Sequence, residues 1–378
     1  MNNVLKARSN FPHISSGKIY YNHAATGPVS RSVREKLIEI ITEKSESNID
    51  EFQKFIKTAA ETKSLLAEMI NTEAERIAFV DNTSNGINIL AQGIDWKPGD
   101  RILLNDLEFP ANVYPFLNLK KEGVEIDFVK SRGGIVTSGD IIEGIKSGTR
   151  LISVSQVQFL TGYRADLYEI GKTCKEKGII FSVDAIQGLG AVKLDAARQN
   201  IDFISSGSQK WLLGLQGMGF IYVSEELQRK LNPRYVGWLS MEDAWNLLDY
   251  NFKLKSSAEC FQTGTVNTLG VYALNTSLKF FKEFGYDYIE ERIIENSIYL
   301  IKKLKEIGLQ PVLENISAEN LAGIVSFKHP VSKKIFENLL KEDIVCSVRE
   351  GMIRFSPHFY NISEESDKIV EIMSGMLK

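Results

Sequence analysis

One lysine stands between two strongly apolar segments of this chain. Lys210 lies in a loop of small residues between IDFIS (201–205) and GFIYV (219–223). Their β-branched and aromatic composition predicts two buried strands. A lysine held between core strands loses hydration, which lowers the pKa of its ammonium and makes the amine a nucleophile toward carbonyl groups. The alternative is an ordinary loop lysine whose stem reaches water, and this stretch taken alone favours that alternative.

Two further segments place polar side chains directly after predicted strands. Asp184 follows IIFSV (179–183), while Thr83 and Ser84 follow a strand that ends near Val80. A carboxylate at a strand end could face a ligand, and hydroxyls with free amides at a helix start can bind phosphate. Both segments also have a simpler explanation as helix N-caps.

An aromatic residue and an arginine complete the set of candidate residues. Phe109, in NDLEFPANVYPF, could stack on a flat ring or could be ordinary core. Arg354, in MIRFSPHFYN, lies among apolar residues and needs a carboxylate partner, supplied either by a substrate or by an Asp or Glu of the chain. A lysine, an acid, a phosphate site, an aromatic plate and an arginine together suit pyridoxal phosphate.

Seven short apolar segments alternate with helical ones and would position these residues. They are RIAFV (76–80), RILLN (101–105), VEIDFV (124–129), RLISVS (150–155), IIFSV (179–183), DFIS (202–205) and GFIYV (219–223). This alternation predicts an α/β fold with a mostly parallel sheet covered on both faces, whose ligands bind at the carboxyl ends of the strands. We expect a large domain over residues 17–264. A smaller α/β domain over 265–378 would pack with the N-terminal arm, residues 1–16.

Composition narrows the classes of partner. The chain has 378 residues, with 45 Lys and Arg against 48 Asp and Glu and a formal net charge of −3. Interspersed charges argue against nucleic acid or an anionic membrane as partner. Cys174, Cys260 and Cys346 lie far apart without nearby histidines, which indicates a reducing compartment and no metal site. With no apolar signal-peptide core and no membrane-length run, we expect a cytoplasmic protein.

The motifs in combination resemble the class V aminotransferase family of fold-type I pyridoxal-phosphate enzymes. That group includes cysteine desulfurases, isopenicillin-N-epimerase-like proteins and kynureninases. The resemblance runs from YNHAATGP (21–28) to SPHFYN (356–361) and is carried by NTS (82–84), VDAIQ (183–187), SGSQKW (206–211) and GTVN (264–267). It implies the fold of that group and pyridoxal phosphate as the cofactor.

The resemblance also implies a role for each matched residue. Lys210 would form the Schiff base with the cofactor, Asp184 would contact the pyridinium nitrogen, and Arg354 would bind the substrate carboxylate. The remaining implied contacts are Gln187 with the ring oxygen; Thr83, Ser84, Gly207 and Gln209 with the phosphate region; Phe109 over the ring; and Thr265 with the phosphate of a second subunit. The last contact implies a homodimer with shared active sites. His23 and Trp238 are placed in the substrate pocket as a further hypothesis.

Two departures from the family pattern bear on the reaction. Desulfurases place a histidine where this chain has Phe109, and they carry a nucleophilic cysteine about a dozen or more residues before the carboxylate arginine. Cys346 lies only eight residues before Arg354, inside the predicted strand IVCSV, where a small core residue is expected. Cys260 is undecided. We therefore expect an aminotransferase, with an epimerase or a cysteine-desulfurase-like C–S lyase as alternatives. A non-catalytic binding protein of the same fold is the alternative from another class.

Overall fold

The computed structural model describes residues 3–377, and a seven-stranded sheet lies at its centre. The described strands are β1 (Ile19–Tyr20), β2 (Ile77–Val80), β3 (Arg101–Asn105), β4 (Glu125–Val129), β5 (Thr149–Ser155), β6 (Ile180–Asp184), β7 (Phe203–Gly207), β8 (Gly219–Val223), β9 (Val325–Lys328), β10 (Ile344–Val345), β11 (Ser347–Arg349) and β12 (Met352–Phe355). All seven strands predicted between residues 76 and 223 are confirmed, with ends that shift by at most two residues.

Helices separate most of these strands. They are α1 (Asn3–Arg8), α2 (Pro12–Ser15), α3 (Arg31–Glu46), α4 (Phe52–Met69), α5 (Thr83–Gly93), α6 (Tyr114–Leu117), α7 (Ser138–Glu143), α8 (Leu167–Lys177), α9 (Glu225–Gln228), α10 (Thr268–Phe284), α11 (Tyr286–Glu306), α12 (Ser332–Lys341) and α13 (Ser363–Leu377). None of the helices within residues 3–377 has the length and apolarity needed to cross a membrane.

The strand order brings the candidate residues to one edge of the large sheet. The order is β2-β8-β7-β6-β5-β3-β4, and β8 is antiparallel to both of its neighbours while the other pairs are parallel. Because β2 and β7 both oppose β8, they run in the same direction, and their carboxyl ends meet at one edge. The residues after β2, β6 and β7 therefore lie together there.

Side-chain alternation covers both faces of this sheet. Along β7, Phe203 packs into the core that contains α5, whereas Ile204 packs into the opposite core with β6 residues such as Phe181. Both cores are built from fully buried aliphatic and aromatic side chains, as expected of parallel strands with helices on each side. The predicted doubly covered α/β sheet is confirmed.

A second, smaller sheet packs with α11, α12 and α13. Its order is β11-β12-β9, and both pairs are antiparallel. The N-terminal segment joins this part, since β1 pairs with β10 and Phe11 stacks on Tyr360 with ring centroids 3.9 Å apart. The boundary at residue 264/265 stays a prediction.

The predicted single strand IVCSV is wrong. Val345 ends β10 by pairing with Tyr20, whereas Ser347 begins β11 by pairing with Arg354. The chain changes sheets at Cys346, which lies between the two strands. Apolar composition predicts extended backbone but carries no information about which neighbour each residue pairs with.

Candidate active site

Asp184 is the last residue of β6 and is almost fully buried. Its Oδ1 accepts a hydrogen bond of 3.0 Å from the backbone N–H of Ile186. Burial is the main cause that raises the pKa of Asp184 to about 7, and the negative charge of Glu108 adds to it. The Ile186 hydrogen bond and the positive charge of Lys210 act in the opposite direction. A buried carboxyl that needs a positive partner therefore stands at the strand end.

Lys210 lies three residues beyond β7, with its ammonium 5.6 Å from the ring centroid of Phe109. Its pKa is lowered to about 8: burial is the main cause, the negative charge of Asp184 opposes it, and the positive charges of Arg354 and Arg349 add to it. At pH 7 about one such lysine in ten is neutral, against about one in 3,000 at the ordinary pKa. This is a lysine prepared for attack on a carbonyl carbon.

The loop that carries Lys210 packs tightly on the segment YYNHAATGP. The Gly27 N–H donates to the carbonyl of Gln209 over 2.7 Å. A Cβ on Gly27 would lie 2.4 Å from the carbonyl oxygen of Lys210, so only glycine permits this approach. The close contact fixes the backbone of the lysine turn.

The predicted phosphate residues come together at the start of α5. Asn82 is the N-cap and accepts from the Asn85 N–H over 2.9 Å, whereas the Thr83 hydroxyl accepts from the Gly207 N–H over 2.9 Å. Ser84 lies in the first helical turn. A Cβ on Gly207 would lie 2.4 Å from the side-chain oxygen of Gln209, so that side chain also lies close by. The amides of a helix start beside these hydroxyls are donors of the kind that bind anions, and the phosphate contacts stay a prediction.

Gln187 is held in one orientation by two buried contacts. Its Nε2 donates to the carbonyl of Ala24 over 3.0 Å, and its Oε1 accepts from the indole N–H of Trp211 over 2.8 Å. The amide therefore keeps its second N–H as the group available to a ligand. This donor suits the ring oxygen that the family resemblance assigns to Gln187.

Arg354 is 2% exposed and lacks an acidic partner within the described part of the chain. Its Nη1 donates to the carbonyl of Phe159 over 2.5 Å and its Nε donates to the Ser347 hydroxyl over 3.3 Å. Burial and the charge of Arg349 lower its pKa to about 10. The alternative of an internal ion pair is therefore wrong, and the guanidinium keeps donors free for an external carboxylate.

These side chains are linked through two phenylalanines. Phe159, whose carbonyl accepts from Arg354, packs edge-on against Phe109 with ring centroids 5.2 Å apart. Phe109 in turn lies over the ammonium of Lys210. Phe109 is 42% exposed and is therefore available to a flat ligand rather than ordinary core. We call Lys210, Asp184, Phe109, Gln187 and Arg354 the lysine cluster.

Glu108 belongs beside this cluster and was missed from the sequence. Its carboxylate accepts from Asn105 over 2.6 Å, from Asn112 over 3.0 Å and from the backbone and hydroxyl of Ser155 over 2.9 and 2.5 Å. These donors fix the position of the buried Glu108 carboxyl group near Asp184. Its position directly before Phe109 after a strand end was the available signal, but nothing local predicted these donor groups.

The structure contradicts the expected substrate contact of His23. This residue has no exposed surface, its Nδ1 lies 2.8 Å from the Ser356 carbonyl and its Nε2 lies 2.7 Å from the Tyr360 hydroxyl. Burial is the main cause that holds its pKa well below the ordinary value. His23 is a neutral core residue because both ring nitrogens already have protein partners.

Trp238 and Thr265 lie outside the lysine cluster. Trp238 is 40% exposed and packs edge-on against Trp245 at 5.2 Å. Thr265 is exposed in a groove of about 830 Å³ that Asp81 and Arg234 also line, and the lining does not include Lys210. Their assigned roles stay predictions, since that of Thr265 requires a second subunit.

The three cysteines are all buried. Cys174 is 1% exposed, and Cys260 and Cys346 are 3% exposed. Burial raises their pKa values, to about 12, 11 and 12 respectively. The interpretation of Cys346 as a core residue is confirmed, because it packs in the core of the small sheet. None of these thiols is prepared to act as a thiolate nucleophile.

The comparisons with known proteins agree with this geometry. The family described as Aminotransferase class-V matches residues 19–368. The chain belongs to the class V aminotransferase family. Within the residues that the structure describes, no cluster of acids, histidines and cysteines could hold a metal ion.

The names of similar proteins point to two activities, cysteine desulfurase and aminotransferase. A probable cysteine desulfurase of Methanothermobacter thermautotrophicus is 29% identical over 83% of this chain and 82% of its own. An uncharacterised aminotransferase of Bacillus subtilis is 25% identical over 90% and 89%. The solved apo structure of a cysteine desulfurase from Thermococcus onnurineus has a TM-score of 0.88 at 24% identity, covering 98% of this chain and 96% of that one.

Family membership confirms two predictions. The fold is that of the fold-type I pyridoxal-phosphate enzymes, and pyridoxal phosphate is the cofactor of this class V enzyme. The residues present fit the cofactor: an amine with a lowered pKa for its aldehyde, a buried carboxyl for its ring nitrogen and a helix start for its phosphate.

Proposed function

We propose that this class V enzyme is a C–S lyase that acts on a sulfur-containing amino acid. The observation that carries the proposal is the arrangement of Lys210, whose pKa is about 8, and Arg354, which has no acidic partner among the described residues, on either side of Phe109 and Phe159. Such a pair can hold an α-carboxylate and reach the proton on the adjacent carbon. The names of relatives such as the Methanothermobacter protein support sulfur chemistry.

Each residue of the lysine cluster has a defined task in this proposal. Arg354 binds and orients the substrate carboxylate. Lys210 removes the proton from Cα, and the carboxylate of Asp184 holds a proton on the ring nitrogen of the cofactor. When bound, the cofactor supplies an acceptor for the negative charge that develops at Cα.

Phe109 constrains what can leave from Cβ. Desulfurases have a histidine at this place, whereas here the ring of Phe109 lies over the lysine, Phe159 packs against that ring, and neither supplies a proton. A leaving group must then be stable as an anion, which favours sulfur over oxygen or nitrogen. The buried cysteines also argue against transfer of sulfur to a thiol of this chain. We infer that the sulfur leaves the site as part of a small anion that is released into solution.

Transamination is the second candidate, and it is the reaction expected from the sequence. It needs a single base that removes the Cα proton and returns a proton to the cofactor, and Lys210 can perform both steps. The absence of an acid at Phe109 is compatible with this reaction, and the Bacillus relative carries an aminotransferase name. Epimerisation would require a second proton donor on the opposite side of Cα.

We also propose a homodimer, in which Thr265 reaches the phosphate of the partner. Support comes from the exposure of Thr265 and from the neighbouring segment 235–252. In that segment Leu248, Tyr250 and Phe252 are 86%, 89% and 70% exposed, and apolar surface of this extent is typical of an interface. Sedimentation that shows a monomer at micromolar concentration would refute the dimer. The cytoplasmic location stays a prediction.

The experiment is to incubate the holoprotein with single amino acids and identify the products. Pyruvate, ammonia and a sulfur anion released catalytically from a cysteine derivative would establish the lyase. A keto acid formed with the amine form of the cofactor would establish transamination, and loss of optical rotation alone would establish epimerisation. Lys210→Ala should abolish all three. If the protein shows no visible absorption after addition of pyridoxal phosphate, the assignment as an enzyme is overturned and the binding-protein alternative remains.

A further inference from the structure

A second arginine shares one face of the hairpin that carries Arg354. In the β11–β12 pair, Ser347 lies opposite Arg354 and Arg349 lies opposite Met352. Side chains two residues apart point to the same face, so Ser347 and Arg349 share the face of Arg354. The hydrogen bond from Arg354 to the Ser347 hydroxyl, 3.3 Å long, agrees with that placement. Arg349 is thus the diagonal neighbour of Arg354, at about 7–8 Å between backbones.

The turn of this hairpin fixes the position of Arg349. Glu350 and Gly351 join the two strands with φ values of +47° and +76°. Positive φ at both central residues is typical of a two-residue type I′ turn, whose twist matches that of the strands. Arg349 is therefore the last strand residue before a tight turn and belongs to an ordered backbone.

Arg349 has no acidic partner within residues 3–377. Its Nη1 donates to the carbonyl of Val348 over 3.0 Å, and its side chain is exposed. Its charge nevertheless reaches the lysine cluster, because it lowers the pKa of both Lys210 and Arg354. Three cations thus lie close together, and Asp184 is the acid that offsets the charge of Lys210. An added anion between the two arginines would relieve this repulsion.

We propose that Arg349 binds a second negative charge, carried on the side chain of the amino-acid substrate. The proposal rests on the amino-acid chemistry above, in which Arg354 takes the α-carboxylate. It extends that chemistry, because Phe109 cannot protonate the group that leaves from Cβ, and the positive charge of Arg349 can instead stabilise that group as an anion. The substrate class is then a cysteine derivative whose sulfur bears an anionic group, such as an S-sulfonate.

The elimination balances without any further reactant except water. Lys210 takes the Cα proton, the Cβ–S bond breaks, and both of its electrons go to sulfur, so that S-sulfocysteine releases thiosulfate. The remaining three-carbon enamine takes up one water molecule to give pyruvate and ammonia. No oxidant or reductant is needed, and the anion that leaves has a fixed positive charge nearby.

The test is calorimetric binding to the holoprotein with matched ligands. The pairs are S-sulfocysteine with S-methylcysteine, and aspartate with asparagine, which differ mainly in side-chain charge. We expect the anionic member of each pair to bind at least about tenfold more tightly, as for a charge-assisted contact. Arg349→Gln should remove that preference and leave the neutral ligands unaffected, and Arg349→Lys should retain part of it. Arg229→Gln, a matched loss of an exposed arginine that pairs with Glu225, should change nothing.

Several outcomes would overturn the role of Arg349. They are equal affinity for charged and neutral members, no binding of either, or a preference that survives in Arg349→Gln. A variant that loses both ligands equally while retaining its thermal midpoint would also overturn it. Aspartate and asparagine have no Cβ–S bond to break, so the charge preference of that pair is measured independently of sulfur release. A preserved preference without pyruvate release would refute the lyase proposal alone, whereas pyruvate release without preference would refute Arg349 alone.

Discussion

Lys210 should titrate near pH 8 in the cofactor-free protein. Its pKa falls from the ordinary 10.5 to about 8, mainly through burial. The neutral, reactive fraction at pH 7 is therefore about 300 times larger than for an exposed lysine. The rate at which the apoprotein acquires the visible absorption of bound cofactor should rise about tenfold per pH unit from pH 6 and become level above about pH 8.

Asp184→Asn tests the direction in which the charge of Asp184 shifts the pKa of Lys210. The negative charge of Asp184 raises the pKa of Lys210 against the effect of burial. Replacing it with a neutral amide should move the break in the rate profile below pH 8. Stopped-flow absorbance between pH 6 and 10.5 measures both profiles, and the break is compared instead of the absolute rate because the variant also weakens cofactor binding. Lys210→Ala is the control that should show no such absorption.

Two results would refute this reasoning. A wild-type profile that keeps rising to pH 10 would mean that Lys210 is solvated like a surface lysine. A break that moves upward in Asp184→Asn would mean that the carboxyl is not the negative partner of the amine.

Three further substitutions test the site and its support. Arg354→Gln should raise KM for every amino acid about 100-fold, the loss of a charge-assisted carboxylate contact. The thermal midpoint should change little, because the lost hydrogen bonds to Phe159 and Ser347 are offset by removal of a buried charge without an ion-pair partner; a large fall in kcat with unchanged KM would contradict the assigned role. Cys346→Ala should retain activity within about twofold, since a buried thiol with a pKa of about 12 is no nucleophile, and loss of turnover in a folded variant would show that sulfur is transferred to this cysteine after all. Gly190→Ala should destabilise the fold by about 2–4 kcal/mol in urea unfolding, because its φ is +93° and a Cβ would lie 2.4 Å from the Trp211 carbonyl oxygen; an unchanged midpoint would count against that geometry.

Apolar periodicity in the sequence was sufficient to predict the large sheet. The segments around Phe181 and Ile204 are buried on both faces, so their composition alone indicates parallel strands between helices. The parallel arrangement then implies that residues at neighbouring strand ends meet, which is how Asp184 and Lys210 could be assigned to one site.

Contacts between distant segments could not be predicted in the same way. His23 lies in a loop segment that is typical of ligand-binding sites. Ser356 and Tyr360, more than 300 positions later, nevertheless form hydrogen bonds with both of its ring nitrogens. Likewise, the sequence showed that Arg354 needs a carboxylate partner, but only the folded chain shows that no acid among residues 3–377 pairs with it.

The sequence by itself determined the fold class and the family, and it predicted the lysine, acid and phosphate-binding residues, because these depend on local pattern and strand order. The tertiary structure decided the burial of His23 and the three cysteines, the anchoring of Glu108 and the shared face of Arg349 and Arg354. The physical reason is that desolvation and charge pairing depend on what lies across space from a group, whereas secondary structure depends on its neighbours along the chain.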